Sequence, residues 1–272
     1  MLVLGKKIEL VRAGHLKSVR AEALGVNRKN IYRVSRRKER DQAVKEAINK
    51  VHLKHPAYGH RRLALKLKVN KKRIRRVMKL FGIKPPRRKS HYYTTRSTTH
   101  HEYTNLIKDL IPTRAHELWC SDLSYIKFQG RFWYLATIVD IVTRQVVAAQ
   151  MGRYHNSDLV LSTIKQAVNI TQQTPYIFHT DQGTEFMAKV CTDYLEGIGA
   201  KVSVSDKASP WQNGYQESFF GKFKDEVGDL NRFETVGELI EAVYGQIHYY
   251  NHERIHTKLK MPPVLYAKSL TE

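Results

Sequence analysis

The sequence predicts a mixed α/β layer fold preceded by an all-helical, strongly basic region. Three observations predict it. The apolar residues recur at helical spacing up to about residue 85 and then, from about residue 112, alternate with a period of two. Within that second part the elements follow the order βββαβαβα, which builds a mixed sheet covered by helices. The charge divides at the same place: residues 1–100 hold 30 Lys/Arg against five Asp/Glu, and residues 101–272 hold 17 against 20.

The formal net charge of +22 therefore sits almost wholly in the first third. Cations at this density release the counterions condensed on a polyanion, which points to nucleic acid. Residues 1–40 read as a helix-turn-helix module. Val19, Ala23 and Leu24 recur at helical spacing, Gly25-Val26-Asn27 turns the chain, and Asn27 caps a second helix over 28–34. That helix would offer Arg28, Lys29 and Arg33 to DNA.

Residues 41–86 repeat the design. A helix over 41–51 is followed by one opening at Tyr58-Gly59-His60-Arg61-Arg62, a turn at Val69-Asn70, and a helix over 71–81. In the last helix Ile74, Val77, Met78 and Leu80 suit a core, while Lys71, Lys72, Arg73, Arg75, Arg76 and Lys79 cover the rest. Six cations with no anion for i,i+4 relief fit a phosphate-facing helix, with Arg61 and Arg62 beside it. Pro85-Pro86 stops the helix, and residues 87–111 read as a polar linker in which Tyr92 and Tyr93 could stack on bases.

Residues 112–228 are expected to form the α/β core. Strands run over 119–128 and 132–141, joined by a two-residue hairpin at Gln129-Gly130, with a third strand over 145–151. A helix capped by Asn156 or Ser157 follows, then a short buried strand ending at Thr180-Asp181. A helix over 184–198 closed by Gly199, a strand over 201–204, a loop over 205–210 and a helix reaching Val227 complete the core. Residues 229–272 are a C-terminal helical segment with Leu239, Val243, Ile247 and Tyr250 on one stripe.

Three acids stand where such a sheet presents functional groups. Asp122 lies in the first strand, Asp181 ends the fourth, and Glu217 lies early in the helix after the 205–210 loop. First and fourth strands are commonly adjacent, so the two aspartates can converge. Hard divalent cations take oxygen ligands, and two ions held by such carboxylates can activate an attacking hydroxyl and stabilise a leaving oxygen on a phosphodiester. Taken singly, an aspartate at a strand end more often caps a turn. Glu185 and Asp140 read as structural, and Cys120 as a small buried hydrophobe.

The segments His-Thr-Asp-Gln-Gly-Thr-Glu-Phe at 179–186 and Ser-Pro-Trp-Gln-Asn-Gly-Tyr-Gln-Glu-Ser-Phe-Phe-Gly-Lys-Phe-Lys at 209–224 resemble the retroviral-integrase-type catalytic core. With Tyr-Asn-His-Glu-Arg-Ile-His-Thr-Lys-Leu at 250–259 and the Tyr-Gly-His-Arg-Arg helix start, the chain more closely resembles DDE transposases of bacterial insertion sequences, the larger reading-frame product of copy-out–paste-in elements. The resemblance spans about residues 45–272. It implies an RNase H-like fold, dependence on Mg²⁺ or Mn²⁺ (two ions), and Asp122, Asp181 and Glu217 as catalytic metal ligands. It also implies double-stranded DNA as substrate, a homo-oligomer on DNA, and a small upstream-frame DNA-binding protein, fused or separate.

No cysteine precedes Cys120, so a zinc-binding His/Cys module is absent from residues 1–119. Asn213 belongs either to the rim of the site, near DNA, or to the turn that starts the helix. Arg254 and His256 either bind DNA or pack the C-terminal segment on the core. Lys224, two turns after Glu217, either holds a phosphate beside the scissile one or snorkels at the surface. A nuclease of RNase H type, or a transposase derivative that only binds DNA, would explain fewer of these features. No apolar run reaches the ~18 residues of a membrane span, and a cytoplasmic, nucleoid-associated protein is expected.

Overall fold

The computed structural model describes residues 3–32, 36–86, 103–206 and 213–270. Arg33, Tyr92, Tyr93 and residues 207–210 of the expected loop lie outside the described residues, as does the side chain of Arg28. The chain divides into two compact units, 1–49 and 50–272.

The first unit holds three short helices, α1 (Leu4–Arg12), α2 (Lys17–Ala23) and α3 (Arg28–Tyr32), and most of α4 (Arg37–Lys54). Val11, Ala21, Val26 and Ile31 form a small shared core. The turn before α3 is the one expected, with the Asn27 side chain accepting from the Lys29 N–H at 3.0 Å. Arg12 Nε donates to the Ile31 carbonyl at 2.8 Å and ties α1 to the end of α3.

The second unit opens with the end of α4 and with α5 (His60–Leu67) and α6 (Lys71–Leu80). Asn70 caps α6 by accepting from the Lys72 N–H. Five strands follow: β1 (Leu118–Phe128), β2 (Arg131–Asp140), β3 (Val146–Gly152), β4 (Ile177–Thr180) and β5 (Lys201–Val204). They form one sheet in the order β3-β2-β1-β4-β5, in which β1 pairs antiparallel with β2 and parallel with β4. Gln129 and Gly130 both take positive φ, 48° and 75°, as the tight hairpin between right-twisted strands requires.

Helices cover both faces. On one side α7 (Ser157–Thr171) and α8 (Lys189–Gly197) bury Trp119, Ala136, Phe178 and Val202. On the other, α9 (Gly214–Val227) and α10 (Val236–His252) bury Leu118, Cys120, Leu135 and Val139 beneath Phe219, Phe223, Leu239 and Val243. A last helix, α11 (Pro263–Ser269), begins at a proline whose fixed φ suits the first helical turn.

One expectation is corrected. The helix expected over 184–198 begins only at Lys189, because the Phe186 and Met187 N–H groups fold back onto the Gly183 carbonyl and Ala188 then takes an extended backbone. The basic module of 41–86 also touches the C-terminal segment. Tyr58 Oη accepts from the Ile255 N–H at 2.8 Å, and Arg62 pairs with Glu226 at 3.3 Å, so α5 packs on the C-terminal part of the second unit.

Candidate active site

The strand register brings the two aspartates together. Leu118, Trp119 and Cys120 of β1 stand opposite Ile177, Phe178 and His179 of β4. Asp122 and Asp181 each lie two residues further along parallel neighbours. They are therefore level, on the same face, and about one strand spacing (~4.8 Å) apart in backbone. The face is the one that α9 covers, since Leu118, Cys120 and Ile177 pack against Phe219 and Phe223.

Asp122 accepts from the Leu123 N–H at 2.8 Å. Burial, reinforced by the negative charges of Asp181 and Glu217, pushes its pKa up to about 7, while the Leu123 N–H and the Lys224 ammonium pull the other way. Desolvation raises Asp181 as well, against the Gly183 N–H at 3.0 Å and the nearby His155. Glu217 is exposed on the first turn of α9. Among the described residues no three His, Cys, Asp or Glu side chains are drawn together tightly enough to hold a metal.

Sequence reasoning missed the groups that fix α9 here. Gln216 is fully buried, donating to the Cys120 carbonyl and accepting from Thr137 Oγ1 at 3.2 Å. Asn213 is 5% exposed and donates to the Ser121 carbonyl at 3.4 Å. Both amides grip β1 immediately before Asp122, one residue and four residues ahead of Glu217. Their signal in the sequence is faint, because a glutamine on a helix is usually solvated. Asn213 stands at the start of α9, where its buried amide clamps β1.

A fourth acid stands beside Asp181. Glu185 pairs with His155 at 3.2 Å, and His155 stacks on Tyr125 with ring centroids 5.6 Å apart. A Cβ on Gly183 would lie 2.6 Å from Glu185 Oε1 and 3.0 Å from Asp181 Oδ1, so glycine is the residue that lets both carboxylates flank the turn. Asp140 is structural: fully buried, it accepts from the N–H groups of His116, Val142 and Thr143.

Residues 112–210 and 198–263 match the integrase core domain, and residues 39–91 match an HTH-like domain. The chain is 33% identical to an uncharacterized transposase-like protein of Haemophilus influenzae over 74% of its own length and 94% of that protein's. It is 31% identical to the transposase for insertion sequence element IS904 of Lactococcus lactis, over 70% and 77% of the two lengths. The chain belongs to the insertion-sequence transposases. The cryo-EM structure of a simian T-cell lymphotropic virus intasome, bound to PP2A regulatory subunit B56 gamma, superposes with a TM-score of 0.51 at 15% identity, covering 80% of this chain and 73% of that one. The transposase is thus a DNA-binding polynucleotidyl transferase of the DDE class with an RNase H-like core.

The transposase places the expected DNA-facing cations differently. Lys29, Arg61, Lys71, Lys72, Arg75 and Lys79 are exposed, and Arg73 and Arg76 are half-buried. Lys224 is half-buried on α9 and acts electrostatically on Asp122. Arg62 is less exposed than its neighbour Arg61. Its side chain is 13% exposed and shares Glu226 with the buried Arg254. No described helix is long and apolar enough to cross a membrane.

Proposed function

We propose that Asp122, Asp181 and Glu217 hold Mg²⁺ or Mn²⁺, as two ions, and that this site cuts DNA at insertion-sequence ends and joins the freed 3′ end to a target. The observation that carries the reading is the level pairing of Asp122 and Asp181 on parallel β1 and β4, with Glu217 and Lys224 of α9 within electrostatic reach of Asp122.

The donor set fits the group. All three ligands are carboxylates, which suit hard cations. Burial first, then the negative charges of Asp181 and Glu217, raises the pKa of Asp122, and a divalent ion would favour its charged form against both. Bound ions would polarise the scissile phosphodiester and the attacking oxygen. The chain's own residues do the rest. The Leu123 and Gly183 N–H groups orient the two aspartates, Gln216 and Asn213 hold α9 against β1, and Lys224 offers a point charge for a neighbouring phosphate. The reading includes a homo-oligomer on DNA, and a small upstream-frame DNA-binding protein, fused or separate.

Asp122→Asn, Asp181→Asn and Glu217→Gln, assayed singly on end-bearing duplexes with Mg²⁺ or Mn²⁺, should each lose cleavage and joining by more than about a thousandfold, roughly 4 kcal/mol of transition-state stabilisation. End binding should stay within about twofold, because the phosphate contacts lie mainly in the basic helices. Wild-type joining by any one variant would remove that residue from the site.

A further inference from the structure

A cavity of about 720 Å³ lies beside α9, on a face next to the one that carries Glu217. Arg62, Arg144, Arg254, His256, Lys222 and Lys258 line it. Four buried nitrogens on these residues have no hydrogen-bond partner: Arg62 Nε, Arg144 Nε, Arg254 Nη2 and His256 Nδ1. Buried N–H groups without acceptors are rare, and each costs about 1–3 kcal/mol. Three of the four are guanidinium N–H groups, which can only donate, and three around one space are the signature of a missing acceptor; the His256 nitrogen donates or accepts according to its tautomer.

The charge balance points the same way. Glu226 serves both Arg62 and Arg254, at 3.3 Å and 2.7 Å. Arg144 is 7% exposed and Arg254 1% exposed. Arg144 lies over the Tyr215 ring at 4.1 Å, which covers its charge without accepting its Nε–H. His256 is held neutral: burial first, then Arg144, Arg254, Arg62 and Lys258, push its pKa down to about 4. Burial accounts for the largest part of that shift, and the surrounding cations add to it.

We propose that this cavity binds a phosphate group, contributed either by the backbone of bound DNA or by a free phosphate compound. Phosphate offers several acceptor oxygens in three dimensions, and guanidinium forks meet them in pairs. A monatomic anion offers a single point on which every N–H group would have to converge, and a planar carboxylate presents only two oxygens. The α9 residues at the cavity, Gly214, Ser218 and Lys222, lie about a third of a turn around the helix from Glu217 and Lys224. An occupant would brace α9 from the side without touching the acids. The proposal goes beyond the metal-site reading and uses none of its three carboxylates.

The test uses the full chain in EDTA, titrated with pyrophosphate and with inorganic phosphate against sodium chloride of equal ionic strength, by calorimetry and ³¹P NMR. Saturable one-to-one binding is expected, weakened at least about tenfold by Arg144→Gln, as loss of a charged hydrogen bond implies. Lys258→Gln should weaken it several-fold, and because Lys258 is exposed that variant keeps the fold even if the arginine variant does not. Lys201→Gln, at the opposite end of the sheet, should bind as wild type. Displacement of pyrophosphate by duplex DNA would identify the backbone as the source, and simultaneous binding would identify a free phosphate compound. Unsaturable binding, or equal affinity in wild type and both cavity variants, would overturn the proposal and leave water as the occupant. Since no divalent ion is present, that failure leaves the reading of the three acids untouched.

Discussion

Asp122 faces opposed demands: a cation needs it charged, while burial and Asp181 favour its proton. A carboxyl whose pKa is higher folded than unfolded binds its proton more tightly in the native state. The stability it lends is present at low pH and is lost as pH rises from the unfolded value, about 4, through the folded one. The folded value is about 7. Asp122→Asn should therefore flatten the fall in melting temperature across this window, and at pH 8 in EDTA it should melt a few degrees above wild type. A lower melting temperature than wild type would show that the charge is not strained in the metal-free fold. Gln216→Leu is expected to act oppositely, costing about 2 kcal/mol in denaturant unfolding because it strips an acceptor and a donor from the β1–α9 contact. The element positions of the three acids were legible because each falls at a strand or helix position set by periodicity. Gln216 was not, because its role depends on which helix lands on Cys120 and Thr137, a matter of tertiary packing.

At the scale of elements, α9 is the point where the chemistry meets the sheet. It carries Glu217 and Lys224 on one side and the cavity residues on another. Lys224→Ala should lower end cleavage at low salt by at least about tenfold, the worth of one close charged contact, while Lys201→Ala should stay within about twofold. Equal activity of both would return Lys224 to the surface role. The strands and the 129–130 hairpin could be read from alternation and turn chemistry, and the cap at Asn156 or Ser157 from its side chain, which the structure assigns to Asn156. The start of α8 could not be read. Its expected first turn is diverted by the need to place Phe186 in the core and Glu185 beside His155. Glu226→Ala should destabilise the second unit by about 3–5 kcal/mol, because it would leave Arg62 and Arg254 buried without their shared anion. A change below about 1 kcal/mol in chemical denaturation would contradict that accounting.

For the whole molecule, the sequence separated a basic third from a near-neutral remainder, and this division survives as charge rather than as a packing boundary. Lys71, Lys72, Arg75 and Lys79 stay exposed on α6, within the unit that also holds the sheet. Replacing all four with Gln in the full chain should reduce the slope of log affinity against log salt by roughly three to four on duplex DNA. An unchanged slope would move the DNA-binding face away from α6. Arg62 was unreadable at this scale, since a second arginine in a basic helix start looks like its neighbour Arg61 until Glu226 arrives from a distant part of the chain.

The docking of Tyr58 on Ile255 and of Arg62 on Glu226 bears on how such enzymes can be recombined. A chimaera that grafts another transposase's helices at the proline pair near residue 86 would sever both contacts and strand the C-terminal segment. A splice near residue 49 would carry α5 and α6 along with their own catalytic half. Of two such hybrids, the second should be the one that expresses in folded form and cuts DNA.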